Sequence, residues 1–137
     1  MKILKTLVIT TLLLTSFDVF CQKKPEDIVI AFYDKFKVDQ EAAIVEFMKP
    51  ITQDDDKLDE IKKGYKKIKN YYGDLGKMEL VRKKSAGENL VELCYVFNHE
   101  RYPVIVKFIF YRFDKEWRQV NFLFNDEIKK EFFSDKN

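Results

Sequence analysis

Apolar residues recur at helical spacing through the first half of the chain and at alternate positions through the second, so the sequence predicts helices followed by strands. Pro25 suits the first position of a helix, with Glu26 and Asp27 beside the positive end of its dipole; Ile28, Ala31, Phe32 and Phe36 form its inward stripe. A short second helix spans residues 40–48, capped by Asp39 and ended by Pro50, with Ala43, Ile44, Phe47 and Met48 facing inward. The third helix carries the clearest stripe. Leu58, Ile61, Tyr65, Ile68 and Tyr72 are spaced 3, 4, 3 and 4 along one face.

Gly73-Asp74-Leu75-Gly76 ends that helix, and from Lys77 the apolar period shortens to two. Strands are predicted over residues 77–84, 89–97, 103–113 and 117–124. In the second, Val91, Leu93, Tyr95 and Phe97 share a face. The third is apolar on both sides, with Val104, Val106, Phe108 and Phe110 on one face and Ile105, Ile109, Tyr111 and Phe113 on the other, as suits a central strand. In the fourth, Val120, Phe122 and Phe124 alternate with Gln119 and Asn121. Connections this short make the strands antiparallel neighbours, a meander with the helices collected on one side. Residues 126–133 either add one helical turn through Ile128 and Phe132 or fray.

Residues 1–21 interrupt this picture, because they read as a signal peptide: Lys2 and Lys5 precede an apolar run from Leu7 to Phe17 that Asp18 closes. The run falls short of the roughly 20 apolar residues needed to cross a bilayer. Cleavage before Gln22 leaves one α+β domain, helical over 23–72 and a sheet over 77–124, with a tail over 125–137, exported to the periplasm or secreted. Cys21 raises the alternative of a lipid anchor, which the bulky Phe20 disfavours. If Cys21 leaves with the signal, Cys94 is the only thiol and no internal disulfide can form.

With 25 Lys and Arg against 23 Asp and Glu, the chain lacks the concentrated basic excess of a nucleic-acid binder. Its aromatic content of 15%, including 13 Phe and 7 Tyr, falls mostly on the sheet and on one helical stripe.

Three helices followed by a curved four-stranded antiparallel sheet resemble the nuclear transport factor 2-like, or cystatin-like, α+β cone. The likeness is carried by Ala31-Phe32-Tyr33 to Pro50, which resemble its opening helix pair, and by Val106-Lys107-Phe108-Ile109-Phe110-Tyr111 with Trp117-Arg118-Gln119-Val120-Asn121-Phe122, which resemble its closing hairpin. Small exported bacterial domains without an assigned activity are the most similar subset. The resemblance implies a space between sheet and helices, bordered by Tyr65, Tyr72, Phe97, Phe108, Phe110, Tyr111 and Phe122, which either enclose a hydrophobic ligand or pack the cone solid.

Candidate chemistry is sparse. His99, the only histidine, falls in the 98–102 turn, where an exposed surface role is expected over that of a general base. Glu92 is the candidate carboxylate for the cone, although it shares a face with Leu90 and Val96. Asp54-Asp55-Asp56 lacks the alternating ligands of a calcium loop and reads as the cap of the third helix. The Lys62 to Lys69 run reads as a solvated face and Cys94 as a buried thiol. No metal, phosphate-binding or cofactor motif is present. The expected function is a non-catalytic binding domain for a small hydrophobic ligand, a peptide or a protein. The alternatives are a cofactor-free lyase or isomerase and a structural homodimer module.

Overall fold

The computed structural model describes residues 23–134, so the signal-peptide and lipid-anchor expectations lie outside the described residues. The element order is α1 (Pro25–Val38), α2 (Gln40–Met48), α3 (Asp55–Tyr72), β1 (Leu75–Ala86), β2 (Leu90–His99), β3 (Pro103–Phe113), β4 (Glu116–Asn125) and α4 (Ile128–Phe132). The strands form one antiparallel sheet in the order β1-β2-β3-β4. This is the expected α+β arrangement of three helices before a four-stranded meander.

Helices α2 and α3 start where the sequence supplies an acceptor. Asp39 Oδ1 accepts from Ala42 N at 3.0 Å, and Asp54 Oδ1 accepts from Asp56 N at 3.0 Å and Lys57 N at 3.3 Å. The acidic run before α3 is thus a cap that satisfies two otherwise unpaired amides. Asp54→Ala lowers stability by about 1 kcal/mol, visible as a fall of about 4 °C in Tm; an unchanged Tm would deny the cap any energetic role. The strands turn as tightly as expected. Asp114 and Lys115, with φ of 47° and 67°, make the two-residue left-handed turn whose twist matches an antiparallel hairpin.

The inner face of the sheet packs against α1, α2 and α3. Val91, Leu93, Tyr95 and Phe97 of β2 and Val104, Val106, Phe108 and Phe110 of β3 are buried there, as the alternation predicts. Two phases differ from expectation. In α1 the inward residues are Val29, Phe32, Tyr33 and Phe36, while Ala31 is exposed. In β4 a bulge opposite Ile109 and Phe110 breaks the alternation. It leaves Val120 on the surface and lets Gln119 reach the Phe47 carbonyl at 3.4 Å.

The tail folds back rather than fraying. Helix α4 contacts β3, and its Glu131 pairs with Arg82 of β1 and Lys107 of β3, outward-facing residues on the side away from the core. Both faces of the sheet therefore carry helix, where the pattern of the sequence places helices on one side only.

Candidate functional site

The aromatic side chains expected to border a pocket divide into two groups. Tyr65, Phe97, Phe108, Phe110 and Phe122 are buried in one cluster with Phe32, Phe36 and Phe47. Their rings touch edge to face or tilted: Phe108 lies 5.5 Å from Phe32, 5.4 Å from Phe47 and 5.1 Å from Phe122 between ring centroids, and Tyr65 lies 4.6 Å from Phe36. Phe97, Phe108 and Phe110 have no exposed surface. Rings at these spacings occupy the space between sheet and helices.

Tyr72 is half-buried and packs against the edge of this cluster, whereas Tyr111 lies outside it. The Tyr72 hydroxyl donates to Asp126 Oδ2 at 2.7 Å, and the ring stacks on Tyr102 at 5.2 Å. The carboxylate beside Tyr72 pushes its phenol up to about 12. Tyr111 stands on the outer face of the sheet opposite Leu90, 42% exposed.

His99 is not an exposed turn residue. It ends β2 and is 7% exposed, because the α3–β1 corner closes over it. Its Nδ1 lies 2.9 Å from the Gly73 carbonyl and its Nε2 lies 3.3 Å from the Tyr65 hydroxyl. A carbonyl can only accept, so Nδ1 carries the hydrogen, and in that neutral tautomer Nε2 accepts from the Tyr65 hydroxyl. Burial pushes the Tyr65 phenol well above its ordinary range, which keeps its proton available for that bond. Both ring nitrogens are committed to the protein. The arrangement joins the end of α3 to the end of β2 and presents no free base to a substrate.

Gly73 makes this joint possible. Its φ of 83° lies in the left-handed region, and a Cβ there would meet Glu100 Oε2 at 2.6 Å. The same corner is stitched by Glu100 N to the Asp74 carbonyl at 2.9 Å and Arg101 N to the Tyr72 carbonyl at 2.8 Å. A glycine beside the end of an amphipathic helix is a readable signal for the turn. The pairing of its carbonyl with a histidine 26 residues away is not.

Glu92 faces outward, away from the helices, and pairs with Arg82 at 3.2 Å. The candidate carboxylate therefore lies on the opposite face from the aromatic cluster. Cys94 is buried as expected, on the same outer face between Arg82 and Lys107 in the strand register. Among the described residues no three His, Cys, Asp or Glu side chains gather as a metal site requires, and no helix is long and apolar enough to cross a membrane.

A cleft of 260 Å³ runs between α1, α2 and β4, bordered by Ile28, Phe32, Phe47 and Gln119. It falls below the roughly 300–1,000 Å³ typical of small-molecule sites. A more open depression of 420 Å³ across α1, α2 and α3 is bordered largely by charged side chains, among them Lys35, Glu41, Glu46 and Lys62.

The outer face of the sheet differs from both. Leu90, Tyr111, Phe113 and Leu123 expose between 39% and 54% of their surface there, and half-buried Ile109 stands opposite Asn121 in the middle of the face. Arg118 lies 5.3 Å from the Phe113 ring centroid and 3.8 Å from Glu116, giving the apolar area a mixed-charge edge. Comparison with models of known protein families, with curated proteins and with solved structures finds no match for this chain.

Proposed function

We propose that the protein is an exported, non-catalytic binding domain of the nuclear transport factor 2-like type, and that it engages a protein partner through the outer face of its sheet. The supporting observation is the distribution of aromatic and aliphatic surface. The inner face is filled by its own rings, while the outer face leaves Leu90, Tyr111, Phe113 and Leu123 in water. Isolated apolar residues on a surface need no explanation, but Leu90, Tyr111 and Phe113 gathered at one end of a sheet face, joined to Leu123 through half-buried Ile109, mark an interaction surface. A small molecule gains most of its affinity from concave burial. This face is a sheet surface with a polar margin, which suits a protein partner whose own apolar patch ends in charges that complement Arg118 and Glu116.

A photo-crosslinking side chain placed at position 111 tests the reading in cells that make the protein. A discrete adduct is expected from position 111 and none from position 38, where Val38 is 88% exposed on α1. Adding Leu123→Lys, on the same face as position 111, is expected to reduce the adduct at least about tenfold, since burying an unpaired charge in an interface is costly. Equal labelling from both positions would sink the proposal. The mass of the adduct distinguishes a different protein from a second copy of this chain.

A further inference from the structure

Arg82, Cys94 and Lys107 are register partners in one row across β1, β2 and β3, all on the outer face. Glu131 of α4 accepts from Arg82 Nη2 at 2.6 Å and from Lys107 Nζ at 2.8 Å. One carboxylate thus bridges the two residues that flank Cys94 in the register. Cys94 and Ile105 are fully buried, yet neither belongs to the aromatic core cluster. They lie on the side that α4 covers.

Two ion pairs at Glu131 and a modest apolar contact through half-buried Ile128 and Phe132 hold α4 on this face. A helix of five residues is too short to persist alone, and none of its side chains is buried. Besides the two Glu131 pairs it has the Arg82 guanidinium 5.9 Å from the Phe132 ring centroid. Lys107 and then Arg82 hold the Glu131 carboxyl below the usual range, as expected of an anion that gains from both cations. The closed arrangement also has a cost. Among the described residues Arg82 Nε is buried without an acceptor, and a buried donor left unpaired disfavours the state that buries it. Arg82 also pairs with Glu92, a contact that does not involve α4. At the other end Asp126 remains tied to Tyr72, so the segment has a fixed point about which to swing.

We propose that α4 is a strap that opens about its Asp126 end, uncovering Cys94 and Ile105 and extending the apolar outer face available to a partner. The strap rests on the outer face as the docking surface, but its motion is measurable without any partner, so the two fail separately. Cys94 is the reporter. Burial pushes its thiol up, while Arg82 and Lys107 pull it down and Glu131 and Glu92 oppose them. Opening removes the burial and withdraws Glu131, leaving a thiol flanked by two cations, a setting that favours the reactive thiolate.

Alkylation of Cys94 in the full chain, counted by peptide mass apart from Cys21, tests this. The expected rate is nearly flat in urea below the unfolding transition, and it rises at least about tenfold in Glu131→Gln, because opening then no longer breaks two charge-assisted pairs. High salt is expected to raise the wild-type rate in the same direction. If Glu131→Gln instead destabilises the whole domain, labelling climbs steeply with urea, as global unfolding requires. That steep dependence, or a rate unchanged by the substitution, overturns the strap.

Discussion

Phe108→Ala lowers the stability of the folded domain by about 3–5 kcal/mol, the largest loss expected from truncating a single side chain of the core. Phe108 has no exposed surface and stands at the centre of the ring cluster, in contact with Phe32 and Phe47 from the helices and with Tyr95 and Phe122 from the neighbouring strands. Removing the ring forfeits its transfer energy. It also leaves a void that four large rings cannot close without abandoning their present packing geometry. Phe113, further along the same strand but on the outer face and 54% exposed, is the matched control. Phe113→Ala is expected to change stability by no more than about 0.5 kcal/mol. Urea unfolding of the two variants measures the contrast through the midpoint, with the slope unchanged. Similar losses would mean that the two faces of the sheet are equally packed, and the assignment of the outer face as open would fall with them.

That contrast is legible in the sequence only in part. The alternation of β2 and β3 places Val91 to Phe97 and Val104 to Phe110 correctly, because a strand flanked by short hairpins has one register in which its larger residues are buried. The stripe on α3 is equally plain, since lysines surround it and leave one apolar direction. In α1 the run from Ile28 to Phe32 is apolar at every position, so two adjacent stripes compete, and packing against Phe97 selects the one containing Tyr33. The β4 bulge has no local signature. It inverts the phase that Val120 would otherwise follow.

The outer-face cluster is hidden for a different reason. Glu131 pairs with Arg82 and Lys107, which lie far back along the chain, and nothing within the tail marks one glutamate as the one that returns to the sheet. Long-range ion pairs carry no period. His99 reads as a surface residue because a polar side chain beside a turn is ordinarily solvated, and only the closing of the α3–β1 corner over it removes it from water.

His99→Ala is the second large effect expected, a loss of about 2–4 kcal/mol from the imidazole cavity together with the partners it abandons. The Tyr65 hydroxyl, on a residue only 2% exposed, loses its acceptor, and the half-buried Gly73 carbonyl loses the Nδ1 hydrogen. Tyr65→Phe is expected to cost about 1–2 kcal/mol by leaving Nε2 without its donor. The ring remains in contact with Phe36 and Phe124 and fills the same space. The double variant separates the pair from its surroundings. Once His99 is gone, deleting the Tyr65 hydroxyl removes a buried group that has no acceptor, so the second substitution should cost nothing further or restore some stability. Unfolding free energies of the four proteins close that cycle, with a coupling of about 1 kcal/mol or more expected. If the two losses simply add, the hydroxyl and the imidazole do not depend on each other, and the corner between α3 and β2 is held instead by its backbone bonds from Glu100 and Arg101.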